Sequence, residues 1–235
     1  MSARPFDVVH DDADIIVVDK AAGVLTVPTA RRERNTLVDL VSKHIRREVH
    51  VVHRLDRDTS GLLVFGKSER AARTLIDRWR EDHERIYAAL VHGVLVRDEG
   101  IIESRLVTTK NLDRRSVRAN DRPRGPPAAR EQEGEDARTR YRVVERVQGA
   151  THVDVELDTG RRNQIRVHRA ELGHPILGDD RYARNVRPHP SWTGGLALHA
   201  RLLVIVQPRT KERVRCESPL PPAFLKFLTR TRTKK

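Results

Sequence analysis

Nine consecutive residues, 53–61, combine side chains that could act on a polar substrate. They contain two carboxylates, three cationic or titratable groups, two hydroxyls and a glycine. The apolar run 62–65 follows at once and predicts a buried strand. A polar loop at the end of such a strand is where a rigid scaffold commonly presents chemical groups. The same residues also fit a charged turn, in which Asp58 and Thr59 cap the bend and Gly61 supplies an unusual φ.

The residue types in this loop exclude several chemistries. His53 and Asp56 are two potential metal ligands, but no third ligand at a suitable spacing accompanies them. Thr59 and Ser60 offer hydroxyls, but the G-x-S-x-G turn that exposes a serine nucleophile is missing. Cys216 is the only cysteine, which excludes an intramolecular disulfide, a Cys₂His₂-type zinc site and the P-C-x-x-C site of zinc deaminases.

The string His-Arg-Leu-Asp-Arg-Asp-Thr-Ser-Gly-Leu-Leu-Val at 53–64 resembles the signature of the RluA-like pseudouridine synthases. These enzymes convert a uridine in RNA to its C-glycoside isomer. Further blocks resemble the same family in the same order, at 14–23, 85–93, 159–168 and 173–182. Ordered blocks are far harder to match by chance than one block, and the resemblance spans roughly residues 8–228. The departures from the family pattern are Ala21 for a proline and Arg162-Asn163 for Thr-His.

The resemblance implies a reaction at C1′ of a ribose. The bond from C1′ to N1 of the base must break, and the base must rotate and rejoin through C5. No redox step and no phosphoryl transfer occurs, so we expect neither a cofactor nor a metal. A carboxylate must attack C1′ or stabilise the developing oxocarbenium ion, as in glycoside hydrolysis. Asp56 matches the family's aspartate and is the predicted nucleophile, whereas Asp58 is expected to be structural.

Other residues take roles from the same resemblance. Arg166 matches the arginine that pairs with the catalytic aspartate, and such a cation would keep Asp56 ionised. Tyr87 is predicted to stack on the target base and to assist removal of the C5 proton, although a packed aromatic is the plain alternative. The predicted substrate-binding residues are Arg54 on a flipped nucleotide, Arg162 at a phosphate and Leu198 in the base pocket. Packing in the core is the alternative for Leu198. Lys20 and Gly23 are expected to shape the first turn.

Residues 163–172 have helical periodicity and precede a glycine, which predicts a helix that carries Arg166. Helical spacing places Arg162, Arg166 and Arg169 on one face. Arg162 and Arg169 could reach phosphates or form a solvated basic face, and the sequence leaves both alternatives open. His168 is expected to be a core histidine or one that supports the residues of the site, and a catalytic role is the alternative.

Apolar periodicity and capping residues predict the surrounding elements. Predicted strands are 15–18, 62–65, 86–91, 141–147, 152–157, 198–206 and 213–216. Further helices are predicted after the caps Thr36 and Ser68 and at Pro221-Pro222. The pattern and the resemblance together predict an α+β protein. It should have a mixed, mainly antiparallel central sheet, flanking helices and an active-site cleft.

We expect residues 1–235 to form a single catalytic domain without an added S4 domain. The segment 108–138 is rich in Arg, Asp, Glu, Gly and Pro and has few apolar side chains. It cannot bury enough surface to offset its ordering entropy, so we predict a mobile loop at about 120–136. The basic tail 230–235 is expected to be frayed.

The charge balance predicts a polyanionic partner. Lys and Arg total 46 against 33 Asp and Glu, which gives a net charge of +13 and a pI of about 10.7. Such a surplus favours RNA or DNA, because neutralising phosphates releases condensed counterions. An anionic membrane is disfavoured, since no long apolar run is present. The first residues lack a secretory signal, so we expect a cytoplasmic monomer without an obligatory protein partner.

Two alternatives remain at the level of sequence. A non-catalytic RNA-binding or ribosome-assembly protein could keep the same fold, but binding alone does not require Asp56, Tyr87 and Arg166 together. An enzyme that acts on another nucleoside has only the Arg162-Asn163 departure in its favour. The RNA itself, ribosomal or transfer, is not specified by the sequence.

The positive charge predicts a steep dependence of RNA affinity on salt. The association constant should fall by at least ~10-fold between about 50 and about 200 mM salt, because each neutralised phosphate releases counterions. Filter binding of RNA across a salt series measures this slope. A flat dependence would contradict a phosphate-binding surface.

Overall fold

The computed structural model describes residues 4–29, 33–79, 81–108, 114–117 and 134–232. The described strands are β1 (Phe6–Asp11), β2 (Ile15–Lys20), β3 (His50–Val51), β4 (Ser60–Gly66), β5 (Glu84–His92), β6 (Glu99–Thr108), β7 (Arg114–Val117), β8 (Glu135–Val147), β9 (Ala150–Leu157), β10 (Leu198–Val206) and β11 (Arg213–Glu217). The described helices are α1 (Leu37–Ile45), α2 (Glu69–Asp77), α3 (Gln164–Glu171) and α4 (Pro222–Thr231). Mixed pairing with a mainly antiparallel sheet confirms the predicted α+β class.

The chain forms two compact units. The first comprises the described residues of Met1–Ala88 and Leu198–Leu225. The second comprises the described residues of Ala89–Ala197 and Lys226–Lys235. Strand β5 begins in the first unit and ends in the second.

The first unit is built on the strand order β1, β2, β4, β10 and the first half of β5. Strand β4 is antiparallel to β2 and parallel to β10. The continuous apolar run that opens β2 is fully buried, which is typical of a strand covered on both faces. Leu75 of α2 packs with Val17 and Leu62 in the core, and Trp79 lies against the same cluster.

The second unit contains the second half of β5 and the strand order β9, β8, β6 and β7. The pairs β8–β9, β6–β8 and β6–β7 are all antiparallel. Helix α3 packs on this sheet through Val167, which contacts Leu106 and Ala137. The hairpin predicted from alternating residues is therefore confirmed as β8–β9.

Local capping sets the helix starts that the sequence predicted. The Asp39 carboxylate accepts hydrogen bonds from both the N–H and the hydroxyl of Thr36, at 3.0 and 2.8 Å. The Ser68 hydroxyl accepts the N–H of Ala71 at 3.2 Å. Both contacts satisfy groups at the helix start that would otherwise lack partners. Within the described ranges, no helix has the length and apolar character needed to cross a membrane.

The structure differs from the prediction at the segment expected to be a mobile loop. Glu135 and Asp136 open strand β8, because they pair with Leu106 and Arg105 of β6. Residues 120–133 lie outside the described residues. Strand β7 also falls within the stretch 108–138, and strands β1, β3, β6 and β7 were not predicted from the sequence.

The basic tail also differs from the prediction. Helix α4 continues to Thr231, whose C=O accepts the N–H of Gln148 at 3.0 Å. The Arg232 guanidinium then bonds both carboxylate oxygens of Glu145, at 2.7 and 3.1 Å. These partners hold the start of the tail, and residues 233–235 lie outside the described part of the chain.

A side chain at position 61 is predicted to destabilise the junction of β4 and β10. The φ of Gly61 is +111°, and an added Cβ would lie 2.3 Å from the backbone oxygen of Ala200. Gly23 also has a positive φ, +86°, but an added Cβ there meets nothing within 4 Å. Gly61→Ala should therefore lower the free energy of unfolding by about 1 to 3 kcal/mol more than Gly23→Ala, the range for overpacking. Urea unfolding of both variants measures the difference, and equal losses would contradict the close approach.

Candidate active site

In the first unit, the loop between β3 and β4 carries Asp56. Leu55 and Thr59 are buried on either side, at 4% and 2% exposure, and Asp56 is half-buried between them. The Thr59 N–H donates to the C=O of Asp56 at 3.2 Å and closes a tight turn. The exposed charged residues of the loop are Arg54, Arg57 and Asp58. Asp56 thus lies in a loop whose neighbouring residues, Leu55 and Thr59, are buried in the core.

Thr26 fixes the residue immediately before Asp56. Its hydroxyl donates to the C=O of Leu55 at 2.8 Å and accepts the N–H of Leu55 at 3.2 Å. Both backbone groups of Leu55 are therefore bonded to one buried side chain, and rotation of this residue would leave a buried polar group without its partner. Thr26 was assigned no role from the sequence, because nothing local marks a threonine whose partner is 29 residues away.

Lys20 fixes the residue immediately after Asp56. Its ammonium is fully buried and donates to the C=O groups of Ala21, Val24 and Arg57, each at 2.9 Å. Three N–H donors thereby meet three acceptors. The first turn and the loop are also joined by backbone, since the Gly23 N–H donates to the C=O of Arg57 at 2.9 Å. Lys20 and Gly23 therefore shape the first turn, as predicted, and also hold the loop of Asp56.

The buried position also changes the acidity of Lys20. Burial lowers its pKa from 10.5 to about 8, and the negative charges of Asp58, Asp56 and Asp19 offset part of this effect. The ammonium therefore stays protonated at neutral pH and keeps its three donors. A neutral amine would lose one of them and would leave a carbonyl unsatisfied.

Tyr87 lies in β5 and is 5% exposed. Burial raises the pKa of its hydroxyl, the Arg85 guanidinium opposes this rise, and the Asp56 carboxylate adds to it. Arg85 and Tyr87 are two residues apart in a strand and so share a face. The Arg85 guanidinium carbon also lies 5.3 Å from the centroid of the Trp79 ring. Arg85 was missed at the level of sequence, although its spacing from Tyr87 was an available signal.

His53, the first residue of the signature, is structural. Its Nε2 accepts the N–H of Val64 at 3.2 Å, and its ring centroid lies 4.6 Å from that of Trp79. Burial lowers the pKa of His53 well below its usual value, and the positive charges of Arg85 and His83 act in the same direction. A neutral, packed ring of this kind anchors the loop beside α2.

In the second unit, Arg166 of α3 forms a buried, two-pronged ion pair. Its Nε and one terminal nitrogen lie 2.8 and 2.7 Å from the two carboxylate oxygens of Asp179. The Asp179 carboxylate also accepts the backbone N–H groups of Arg181 and Tyr182, at 3.0 and 2.9 Å. The fork geometry fixes the plane of the guanidinium. Arg166 is thus charged, buried and held in one orientation.

Asn163, which replaces the histidine of the family pattern, makes its own contacts at the start of α3. Asn163 caps α3 in the left-handed conformation, with φ 56°, which asparagine adopts more readily than most residues. Its amide donates to the Tyr182 hydroxyl at 3.1 Å. The centroid of the Tyr182 ring in turn lies 5.3 Å from the guanidinium carbon of Arg166. Asn163 therefore supports the ring that packs against Arg166.

Two further polar residues of α3, His168 and Arg169, lie in the core. His168 is fully buried between the hydroxyls of Ser104 and Thr139, at 2.9 and 2.8 Å, and burial lowers its pKa to about 4. It is the core histidine that the sequence predicted. The expectation for Arg169 was wrong, because its side chain is fully buried over the Tyr141 ring at 4.8 Å and cannot reach a phosphate.

The predicted substrate-binding residues occupy different environments. Arg54 is exposed in the first unit, and Arg162 is exposed before α3 in the second. Leu198 opens β10 and is 4% exposed. Their roles towards substrate stay predictions.

Comparison with known sequences gives consistent matches. A sequence model of the family described as RNA pseudouridylate synthase matches residues 14–171. The uncharacterised RNA pseudouridine synthase YlyB of Bacillus subtilis is 33% identical over 96% of this chain and 73% of its own length. The ribosomal large subunit pseudouridine synthase D of Pseudomonas aeruginosa is 34% identical over 95% of this chain and 71% of its own.

Solved structures share the fold at low sequence identity. Human RNA pseudouridylate synthase domain containing 4 has a TM-score of 0.70 at 21% identity, and the match covers 95% of this chain and 92% of that one. Human RNA pseudouridylate synthase domain containing 1 has a TM-score of 0.71 at 23% identity, covering 91% and 83%. These likenesses establish the fold.

The buried ammonium of Lys20 predicts a pH-dependent stability. Its folded pKa, about 8, lies below its unfolded value of about 10.4, so the unfolded chain binds more protons between these pH values. The stability due to Lys20 is therefore gained as pH rises through this window and lost as pH falls through it. The free energy of unfolding of wild type, relative to that of Lys20→Met, should increase by about 2 kcal/mol from about pH 8 to about pH 10. Urea unfolding at both pH values measures it, and a constant difference would contradict the lowered pKa.

Proposed function

The chain belongs to the RNA pseudouridylate synthase family, and from this premise we propose that Asp56 is the nucleophile with which it isomerises uridine. It is an RNA pseudouridine synthase, an isomerase that modifies RNA. The observation that carries the nucleophile assignment is the placement of Asp56. Its carboxylate is half-buried between two residues that Thr26 and Lys20 hold rigidly. A fixed carboxylate can meet C1′ without first losing conformational freedom.

The proposed reaction conserves all atoms of the nucleotide. Asp56 attacks C1′ or stabilises its oxocarbenium ion while the bond from C1′ to N1 breaks and the uracil takes its electron pair. The detached base rotates within the site, and C5 then bonds to C1′. The proton on C5 leaves, and N1 gains one. The carboxylate is released unchanged, so the cycle needs no external reactant.

Tyr87 is proposed to stack on the target base. Its buried ring offers an apolar face near the charge of Asp56. The raised pKa keeps its hydroxyl protonated at neutral pH, and a protonated phenol does not accept a proton readily. This favours the stacking role over direct removal of the C5 proton.

Arg166 is proposed to be the ion-pair partner of Asp56, as the family resemblance implies. A guanidinium has five N–H donors in a fixed plane and can bond more than one carboxylate. The two bonds to Asp179 keep Arg166 charged and oriented, and the Tyr182 ring packs against its face. These contacts support a role that needs a permanent, immobile cation.

Arg54 is proposed to hold the flipped nucleotide, Arg162 to contact phosphate and Leu198 to line the base pocket. Flipping costs a few kcal/mol of unstacking and is cheapest in a loop or bulge, so a structured RNA with an accessible uridine suits this site. We propose large-subunit ribosomal RNA as the target, because relatives of this chain are named ribosomal large subunit pseudouridine synthases. Residues 1–235 are proposed to act as one catalytic domain, as a cytoplasmic monomer.

Asp56→Asn should abolish pseudouridine formation. Loss of the nucleophile should reduce the rate by more than ~10³-fold, because a neutral amide cannot replace a carboxylate at C1′. Asp58→Asn is the matched control, since Asp58 is exposed in the same loop. A pseudouridine map of total RNA from a deletion strain, complemented with wild type or either variant, makes the measurement.

The map should show one or a few sites in large-subunit ribosomal RNA that return with wild type and with Asp58→Asn only. Sites in transfer RNA would keep the nucleophile assignment and replace the proposed substrate. Restoration by Asp56→Asn would overturn the assignment of the nucleophile.

A further inference from the structure

A buried network of hydrogen bonds ends beside the loop of Asp56. His199 of β10 is 2% exposed, and its Nδ1 lies 2.9 Å from the hydroxyl of Ser60, the first residue of β4. Its Nε2 lies 3.0 Å from the hydroxyl of Ser218, which in turn donates a short hydrogen bond to the carboxylate of Asp19. All four residues belong to the first unit. The contacts link β2, β4, β10 and the segment after β11.

The direction of each hydrogen bond in this network follows from the donors and acceptors present. The Asp19 carboxylate is an acceptor only, so the single hydroxyl hydrogen of Ser218 is directed to it. The Ser218 oxygen must then accept from Nε2 of His199. Burial lowers the pKa of His199, although the charge of Asp19 opposes this shift, and so favours the neutral ring. In a neutral ring that donates from Nε2, Nδ1 is left as an acceptor. The Ser60 hydroxyl therefore donates to Nδ1.

Ser60, at one end of this hydrogen-bond network, also lies where two strands of the first unit approach each other very closely. The parallel pairing of β4 with β10 aligns Ser60 with His199 and Gly61 with Ala200. The backbones approach so closely at Gly61 that a Cβ would overlap the Ala200 backbone. Ser60 is therefore held by its side chain and by the backbone of its neighbour at the point where the loop enters the strand.

We propose that His199 is a positioning residue for catalysis, which acts through Ser60 on the loop that carries Asp56. Ser60 follows Thr59, whose N–H closes the turn on the C=O of Asp56. Thr26 and Lys20 hold the loop from the side of the first turn, and His199 holds its exit into β4. This inference rests on the proposed function, since it takes Asp56 as the nucleophile.

The two nitrogens of His199 allow a test with matched variants. The side-chain amide of asparagine reaches the place of Nδ1 and can still accept from Ser60. The longer side chain of glutamine reaches the place of Nε2 and can still donate to Ser218. Each variant loses one of the two hydrogen bonds, so similar losses of stability are expected from both. Only the asparagine variant keeps the contact with the loop.

The measurement is single-turnover release of tritium from an unmodified transcript of large-subunit ribosomal RNA that carries 5-tritiated uridine. His199→Gln should react roughly 10- to 100-fold more slowly than His199→Asn, because small displacements of a reacting group are costly. Filter binding should give the same dissociation constant for both variants. In a Ser60→Ala background the two His199 variants should react at equal rates, since the contact that distinguishes them is gone.

The outcomes separate the inference from the proposed function. Equal rates for His199→Gln and His199→Asn in the presence of Ser60 would overturn the positioning role. The positioning role would also be overturned if the turnover rates of the two His199 variants simply followed their melting temperatures. It would be overturned as well if the rate difference between them persisted in the Ser60→Ala background. Asp56→Asn is measured in the same assay, and turnover by this variant would overturn the nucleophile assignment itself. Loss of turnover there, with equal rates for the His199 variants, would overturn only the positioning role.

Discussion

The buried ammonium of Lys20 is the interaction on which the rest of the site depends. An unpaired charge in the protein interior is very costly, so Lys20 must keep acceptors for all three of its N–H groups. Those acceptors belong to the first turn and to Arg57 in the loop of Asp56. The two segments cannot separate without leaving the charge unsatisfied. Lys20, the last residue of the buried strand β2, therefore holds the loop rigidly against that strand.

Fixed polar groups of the same kind appear in both units. Thr26 bonds the loop of Asp56, His199 bonds Ser60 where that loop enters β4, and Asp179 bonds Arg166. Preorganised groups of this kind need no rearrangement when charge develops at a reacting centre. An isomerisation that only breaks and remakes a glycosidic bond depends on such placement, because no redox or phosphoryl chemistry contributes to it. The buried ionic and polar contacts therefore fix the geometry of the proposed site.

The net charge of the chain is a poor guide to where RNA would bind. Strand β8 is rich in arginine, but its arginines form ion pairs with neighbouring carboxylates. The paired residues are Arg138 and Arg140 with Asp158, Arg142 with Asp154 and Arg146 with Asp98. Exposed pairs of this kind add little stability, yet they neutralise the strand locally. The loop of Asp56 also exposes two cations, Arg54 and Arg57, and their contact with RNA stays a prediction.

The sequence by itself determined whatever depends on neighbours a few residues apart. Thr36 and Ser68 mark their helices because a cap needs only the next turn, and β10 has its predicted limits because its apolar run is nearly continuous. The family blocks likewise identified Asp56, Tyr87 and Arg166 as candidates. Only the tertiary structure decided which polar groups are buried, since Lys20, Thr26, Arg169 and His199 find their partners far along the chain. Helical spacing placed Arg169 on a basic face, but its burial depends on Tyr141, a residue of a distant strand. Local patterns fix the direction of a side chain, and the packing of distant segments fixes what that side chain meets.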